Sequence, residues 1–237
     1  MSHALSAKLN PQQAAAVELP AEHALILAGA GSGKTSVLTT RIAWLLSTNR
    51  CSPSGLLAVT FTNKSAKEML TRITAMLPLN PRGLWVGTFH GLCNRMLRLH
   101  HKDAGLPESF AILDQSEQLS AIKRVLKLLG LDDDKYPPRT VQNYINGHKE
   151  NGRRACDVDA FDDYSRHLRN AYEEYEKQCN REGVADFSEL LLRCYELLSY
   201  KPEIRAHYQQ RFAHILVDEF QDTNRLQYAW LKLLAGN

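Results

Sequence analysis

The sequence predicts an α/β fold: an open parallel sheet into which an all-helical segment is inserted. Three observations carry that expectation. Short apolar runs alternate with helical spacing up to about residue 90. From there to about residue 210 the apolar spacing is almost purely helical, and then one more apolar run, His214-Ile215-Leu216-Val217, returns. Strands alternating with helices imply a parallel sheet wrapped on both faces. The predicted division is an α/β domain over residues 1–90 and 211–237, with a helical insertion over 91–210.

Taken in chain order, Ala24-Leu25-Ile26-Leu27-Ala28 is a short continuous apolar run and reads as a buried strand. Residues 34–47 then place Val37, Leu38, Ile42 and Leu45 on one helical face. Leu56 to Phe61 reads as the next strand, followed by a helix from about Ser65 that aligns Met69, Ile73 and Met76. Trp85 to Thr88 is a third short strand. In the insertion, one stripe joins Leu119, Ile122, Val125, Leu126 and Leu129, another Tyr164, Leu168, Tyr172 and Tyr175, and a third Leu191, Cys194, Tyr195 and Leu198. Between the first two, Leu131 to Gly152 is rich in Asp, Pro, Asn and Gly, and reads as a polar break marked by Tyr136-Pro137-Pro138. Asn224 to Leu234 reads as a closing helix.

Composition narrows the classes. The 237 residues are 44% hydrophobic, enough for a folded core. No run approaches the roughly 20 apolar residues that cross a bilayer, and Met1-Ser2-His3-Ala4 lacks the pattern of a secretion signal, so no membrane partner and a cytoplasmic setting are expected. The 5 cysteines are scattered and never form a C-x-x-C pair, which suggests neither disulfides nor zinc. The net charge of +3 is unevenly spread: residues 1–90 and 211–237 carry 11 Lys and Arg against 6 Asp and Glu, residues 91–210 carry 18 against 20. The basic excess sits with the α/β segments, as a phosphate-binding surface requires.

Ala28-Gly29-Ala30-Gly31-Ser32-Gly33-Lys34-Thr35 lies between an apolar run and a helix. Such a turn aims backbone N–H groups and the positive end of a helix dipole at one point, which suits phosphate. Gly31 and Gly33 let the backbone approach, Lys34 reaches the β and γ phosphates, and the Thr35 hydroxyl ligates Mg²⁺. Ala28 stands where the G-x-x-x-x-G-K-[ST] pattern begins with Gly. Asp218-Glu219 follows directly on the apolar run Ile215-Leu216-Val217, so both carboxylates emerge at the C-terminal edge of the sheet. Asp218 is expected to hold Mg²⁺ and Glu219 to orient and deprotonate water, which makes ATP and Mg²⁺ the expected ligands.

The wording of the motifs adds a resemblance. Ala28 to Thr35, Val59-Thr60-Phe61-Thr62-Asn63-Lys64, Gly87-Thr88-Phe89-His90 and Val217-Asp218-Glu219-Phe220-Gln221-Asp222-Thr223-Asn224, in that order, are similar to the UvrD/Rep/PcrA group of superfamily 1 DNA helicases. The resemblance implies a RecA-like P-loop sheet, incomplete here, with a helical subdomain inserted. It implies that Gln13 reads the adenine edge, that Phe61, Thr62, Asn63, Thr88, Phe89 and His90 line a track for single-stranded DNA, and that Gln221 couples nucleotide state to DNA. An amide suits adenine because it donates and accepts in one plane, and aromatic faces stack on any base. Ser36 stands where the family usually stacks an Arg on the adenine, so adenine binding from that side is expected to weaken. In the family the acidic motif is followed by a Gly-Asp-x-Asp-Gln-Ser motif and a second RecA-like domain that carries arginines. The implied activity is 3′ to 5′ movement on single-stranded DNA with unwinding at duplex junctions, alongside repair proteins. The alternative is a fragment that only binds nucleotide or DNA.

Overall fold

The computed structural model describes residues 9–29, 31–78, 80 and 83–236. The chain divides into two compact units: residues 1–92, 205–223 and 234–237 form the first, residues 93–204 and 224–233 the second.

The first unit is built on a parallel sheet of β1 (Leu56–Thr60), β2 (Trp85–Thr88) and β5 (His214–Val217), in the order β2-β1-β5. β1 is central and buried along its whole length, which explains its unbroken apolar character. Leu57 lies opposite Trp85 on one side and Ile215 on the other, and Val59 lies opposite Val217. The Asp218 N–H donates to the Val59 carbonyl at 2.9 Å, so the ladder runs one residue past β5. Helices α1 (Pro11–Val17), α2 (Lys34–Ser47) and α3 (Asn63–Met76) accompany the sheet. Val37, Ile42 and Leu45 of α2 and Met69 and Ile73 of α3 are buried with Leu56 and Ala58 in one core. Trp85 meets Tyr208 and Phe212 edge-on, with ring centroids 5.8 and 5.4 Å away.

Residues 24–28 are a correction. They form no strand, and Leu25, Ile26 and Leu27 are 67%, 48% and 85% exposed. Apolar composition gives a strand only where a neighbouring ladder supplies hydrogen bonds, and this run has no strand partner among the described residues.

Across the second unit run α4 (Phe89–Leu99, which begins in the first), β3 (Ala111–Leu113), α5 (Gln115–Leu128), α6 (Pro138–Glu150), α7 (Asp163–Glu182), β4 (Val184–Asp186), α8 (Phe187–Tyr200), α9 (Pro202–Arg211, which ends in the first) and α10 (Arg225–Ala235). Most of the first two stripes packs as expected, with Ile122, Val125, Leu126, Leu168, Tyr172 and Tyr175 in one buried cluster, but Leu129 and Tyr164 at their ends are exposed. Three features differ from the sequence reading. β3 and β4 add a short parallel pair. The span read as a polar break contains α6, whose Val141 and Ile145 are fully buried, with Pro138 at its first turn, where a missing N–H costs nothing. Residues 224–233 pack with the helical unit: the Trp230 indole N–H donates to Cys194 Sγ at 3.3 Å.

Lys149, at the end of α6, is 1% exposed. Its ammonium meets Asp186 at 2.7 Å and Glu189 at 2.8 Å, and the Tyr175 hydroxyl donates to the same Asp186 oxygen at 2.8 Å. Arg154 extends the network to Glu176, Glu189 and Glu196. Burial alone would lower the Lys149 pKa, but the two carboxylates outweigh it and raise it. Losing one partner of such a buried set costs about 3–5 kcal/mol.

Candidate functional site

α2 begins without a side-chain cap, because its N-cap residue is Gly33, in the left-handed region with φ 83°. The first N–H groups of the helix therefore have no capping side chain, which makes them an anion site. Gly33 is constrained twice. Its φ suits glycine, and a Cβ there would lie 3.2 Å from Gln13 Nε2. Gly31 is also left-handed, with φ 74°. The Ser32 hydroxyl donates to the Gly29 carbonyl at 2.7 Å, which tightens the turn. Ala30 lies outside the described residues.

Gln13 uses both ends of its amide. Its Oε1 accepts from the Asn10 N–H at 3.0 Å as half of a capping box, and its Nε2 donates to the Ser32 carbonyl at 2.9 Å. α1 is thereby tied to the glycine-rich turn. Ser36 is half-buried in the first turn of α2.

Lys34 Nζ donates to the Ala28 carbonyl at 3.3 Å and lies 3.9 Å from Glu219 Oε2. Asp218, only 9% exposed, lies beside Glu219, Lys34 and the Thr35 side chain. Burial, then the neighbouring Glu219 charge, raise the Asp218 pKa above the ordinary carboxylate value, and Lys34 and Thr35 offset only part of that. A buried carboxylate with a second negative charge and a hydroxyl beside it fits a hard divalent cation such as Mg²⁺. The two expected ligands thus lie together. Glu219 is left-handed as well, with φ 51° and ψ 46°, and heads a 3₁₀ turn over Phe220–Asp222. Gln221 Nε2 donates to Glu219 Oε2 at 2.6 Å. A cleft of about 600 Å³ opens here, lined by Ile26, Leu27, Ala28, Gly29, Lys34 and Gln221.

The expected DNA-facing residues sit at the C-terminal ends of β1 and β2, where Thr60 and Thr88 are register partners. Thr62 caps α3, accepting from the Ser65 N–H at 3.0 Å, and the Thr88 hydroxyl accepts from Gly91 N–H at 3.2 Å. Thr62 and Asn63 are exposed; Phe61, Thr88 and His90 are half-buried. Burial lowers the His90 pKa, which favours the neutral ring. Phe89 differs from expectation: it is 1% exposed and meets Phe61 edge-on at 5.5 Å, so it supports Phe61 instead of offering a face. The weak candidates of the predicted polar break, Asn146, His148 and Lys149, all lie on α6; Asn146 exchanges hydrogen bonds with Gln118, and Lys149 is the buried cation described above. Sequence reasoning missed the bond between Gln221 and Glu219, for which two polar residues in a turn give no periodic signal.

A family model described as UvrD/REP helicase N-terminal domain matches residues 9–237. The chain belongs to that family. Among curated relatives of this UvrD/REP chain, DNA helicase II of Escherichia coli strain K12 is 50% identical over 230 residues, 97% of the chain and 32% of the relative. The probable DNA helicase II homolog of Rickettsia felis is 43% identical over 233 residues, 96% of the chain and 35% of the relative. The ATP-dependent DNA helicase PcrA of Staphylococcus aureus strain Mu50 is 40% identical over 236 residues, 99% of the chain and 32% of the relative. The chain thus spans about a third of the length of these helicases. Its parallel sheet, flanking helices and inserted helical unit are consistent with the RecA-like P-loop fold of the family.

Proposed function

We propose that the protein carrying this chain is an ATP-driven DNA helicase that moves 3′ to 5′ along one strand and separates duplex at junctions, in cytoplasmic DNA repair and replication. The chain supplies its ATP- and DNA-binding portion, with residues 1–90 and 211–237 as the ATP-binding domain and 91–210 as the inserted subdomain. One observation carries the reading: the uncapped start of α2, with Lys34 and Thr35, faces Asp218 and Glu219, and the Phe61 and Thr88 segments lie at the same strand ends.

Gly29 to Thr35 hold the phosphates through backbone N–H groups, and Lys34 neutralises the terminal oxygens. Thr35 and Asp218 would hold Mg²⁺, which would supply charge neutralisation at the phosphate oxygens. Glu219 accepts a proton from the attacking water. Gln13 and Ser36 lie on the adenine side. Phe61 offers a stacking face, and the hydroxyls and amide of Thr62, Asn63 and Thr88 grip phosphate without reading sequence, with His90 beside them. The test is ATP hydrolysis by the full-length form with and without single-stranded DNA, together with unwinding of a tailed duplex. Absence of DNA stimulation would remove the helicase reading.

A second reading, that the 237-residue chain by itself binds without turning over, is favoured by the cleft lining, in which Lys34 is the one cation among the described residues. Added arginines supply factors of about 10³–10⁵ in related phosphoryl transfers. Titrating labelled ATP while following hydrolysis separates the two, since turnover above background rejects a binding-only chain.

A further inference from the structure

Glu219 adopts a backbone conformation that residues with a Cβ rarely hold, and such outliers gather at functional sites. Two groups reach its Oε2: the Gln221 amide donates at 2.6 Å, and the Lys34 ammonium lies 3.9 Å away. These holds differ in kind. Lys34 already donates to the Ala28 carbonyl and lines the cleft, so a polyanion entering there competes for it. Gln221 is neutral and sits on the same turn as Glu219, closed by the Asp222 N–H to the Glu219 carbonyl at 2.9 Å and the Thr223 N–H to the Phe220 carbonyl at 3.1 Å. A polyanion that draws Lys34 away finds no charge to compete for on Gln221.

We propose that Gln221 is a positioning residue for Glu219: its amide fixes Oε2, so that Oε1 is the atom left to take the proton of the attacking water. This rests on the ATPase reading above and assigns a role inside that site. As the water oxygen bonds to the terminal phosphorus, its proton passes to Oε1, and the bridging P–O bond breaks with its electron pair leaving on ADP. A general base works only when presented within hydrogen-bond reach of that proton. A glutamate side chain without an anchor samples several rotamers, and misplacement of about 1 Å can cost about 10²-fold in rate.

The test uses Gln221→Leu, a change at an exposed position that removes the donor. In the 237-residue chain, labelling of Glu219 by a water-soluble carbodiimide and glycine ethyl ester, read by peptide mass spectrometry, is expected to rise about tenfold as the bond to the carboxylate is lost. Affinity for a fluorescent ATP analogue is expected to stay within about twofold. In the full-length form kcat for DNA-stimulated hydrolysis should fall about 10- to 100-fold at unchanged KM. In a Glu219→Gln background the same change should cost no more than about twofold further, because the two residues act as one unit. Unchanged labelling, a rise in KM at constant kcat, or losses that multiply with Glu219→Gln would each overturn the proposal. If the unaltered full-length form shows no DNA-stimulated hydrolysis, the ATPase reading fails together with the role in catalysis, and the labelling result then tells separately whether Gln221 holds Glu219.

Discussion

Gly33 carries more constraint than any other residue of the glycine-rich turn. A side chain there must adopt a left-handed backbone, which costs about 1–2 kcal/mol, and must also displace the Gln13 amide that lies 3.2 Å from the added carbon. Gly33→Ala is expected to lower stability by about that amount in urea denaturation and to weaken ATP binding at least tenfold, because the turn and the start of α2 move together. Phe61 and Phe89 divide what the sequence assigned to both. Phe61 is half-buried, whereas Phe89 is core. Phe61→Ala should therefore weaken binding of a single-stranded oligonucleotide by about 1–3 kcal/mol, measured by fluorescence anisotropy, with ATP affinity retained. Glycines, Lys34, Thr35, Asp218 and Glu219 were legible because their chemistry is written in adjacent residues. The Gln221 bond was not, since it depends on the left-handed turn at Glu219, which no spacing encodes.

At the level of elements, legibility followed hydrogen bonding and burial more than composition. α2 runs over Lys34–Ser47 as its apolar spacing indicates, and β1, β2 and β5 coincide with apolar runs that find parallel neighbours. Residues 24–28 have the same composition and find none. α6 defies its polar composition for the opposite reason: Val141 and Ile145 are buried, and Lys149 buries its charge against Asp186 and Glu189, more than thirty residues away in sequence. Glu189 registers the consequence. Burial pushes its carboxyl up, but Lys149, Arg154 and Arg193 outweigh burial and hold it well below the ordinary value. A carboxylate depressed on folding contributes stability above its unfolded pKa, about 4.3, and loses it as pH falls through the folded value. The helical unit should thus lose stability as pH drops below about 4, with a slope approaching about 1.4 kcal/mol per pH unit for each proton taken up. Circular dichroism melts across pH 2–6 would follow this. Glu189→Gln should be less stable at pH 7, where it leaves Lys149 and Arg154 short of a counter-charge, and should show a shallower acid slope.

For the molecule as a whole, the sequence revealed two kinds of packing because the apolar period changes from strand-and-helix to helix near residue 90 and back near residue 211. Packing divides the chain at residues 92, 204, 223 and 233, so the change of period lies within a few residues of the first two divisions but gives no sign that residues 224–233 join the helical unit. Charge follows the same division, with the basic excess in the segments that carry the glycine-rich turn. The exposed run Leu25-Ile26-Leu27 has a consequence of a different kind. Proteases cut most readily in exposed chain outside helices and strands, and this stretch is such chain with bulky apolar side chains. Brief treatment with chymotrypsin should nick the chain between residues 25 and 28. ATP with Mg²⁺ should slow the cut in proportion to occupancy, since a ligand favours the form that binds it. A pair of fragments, followed on a gel, would then report nucleotide binding in a chain that need not hydrolyse anything.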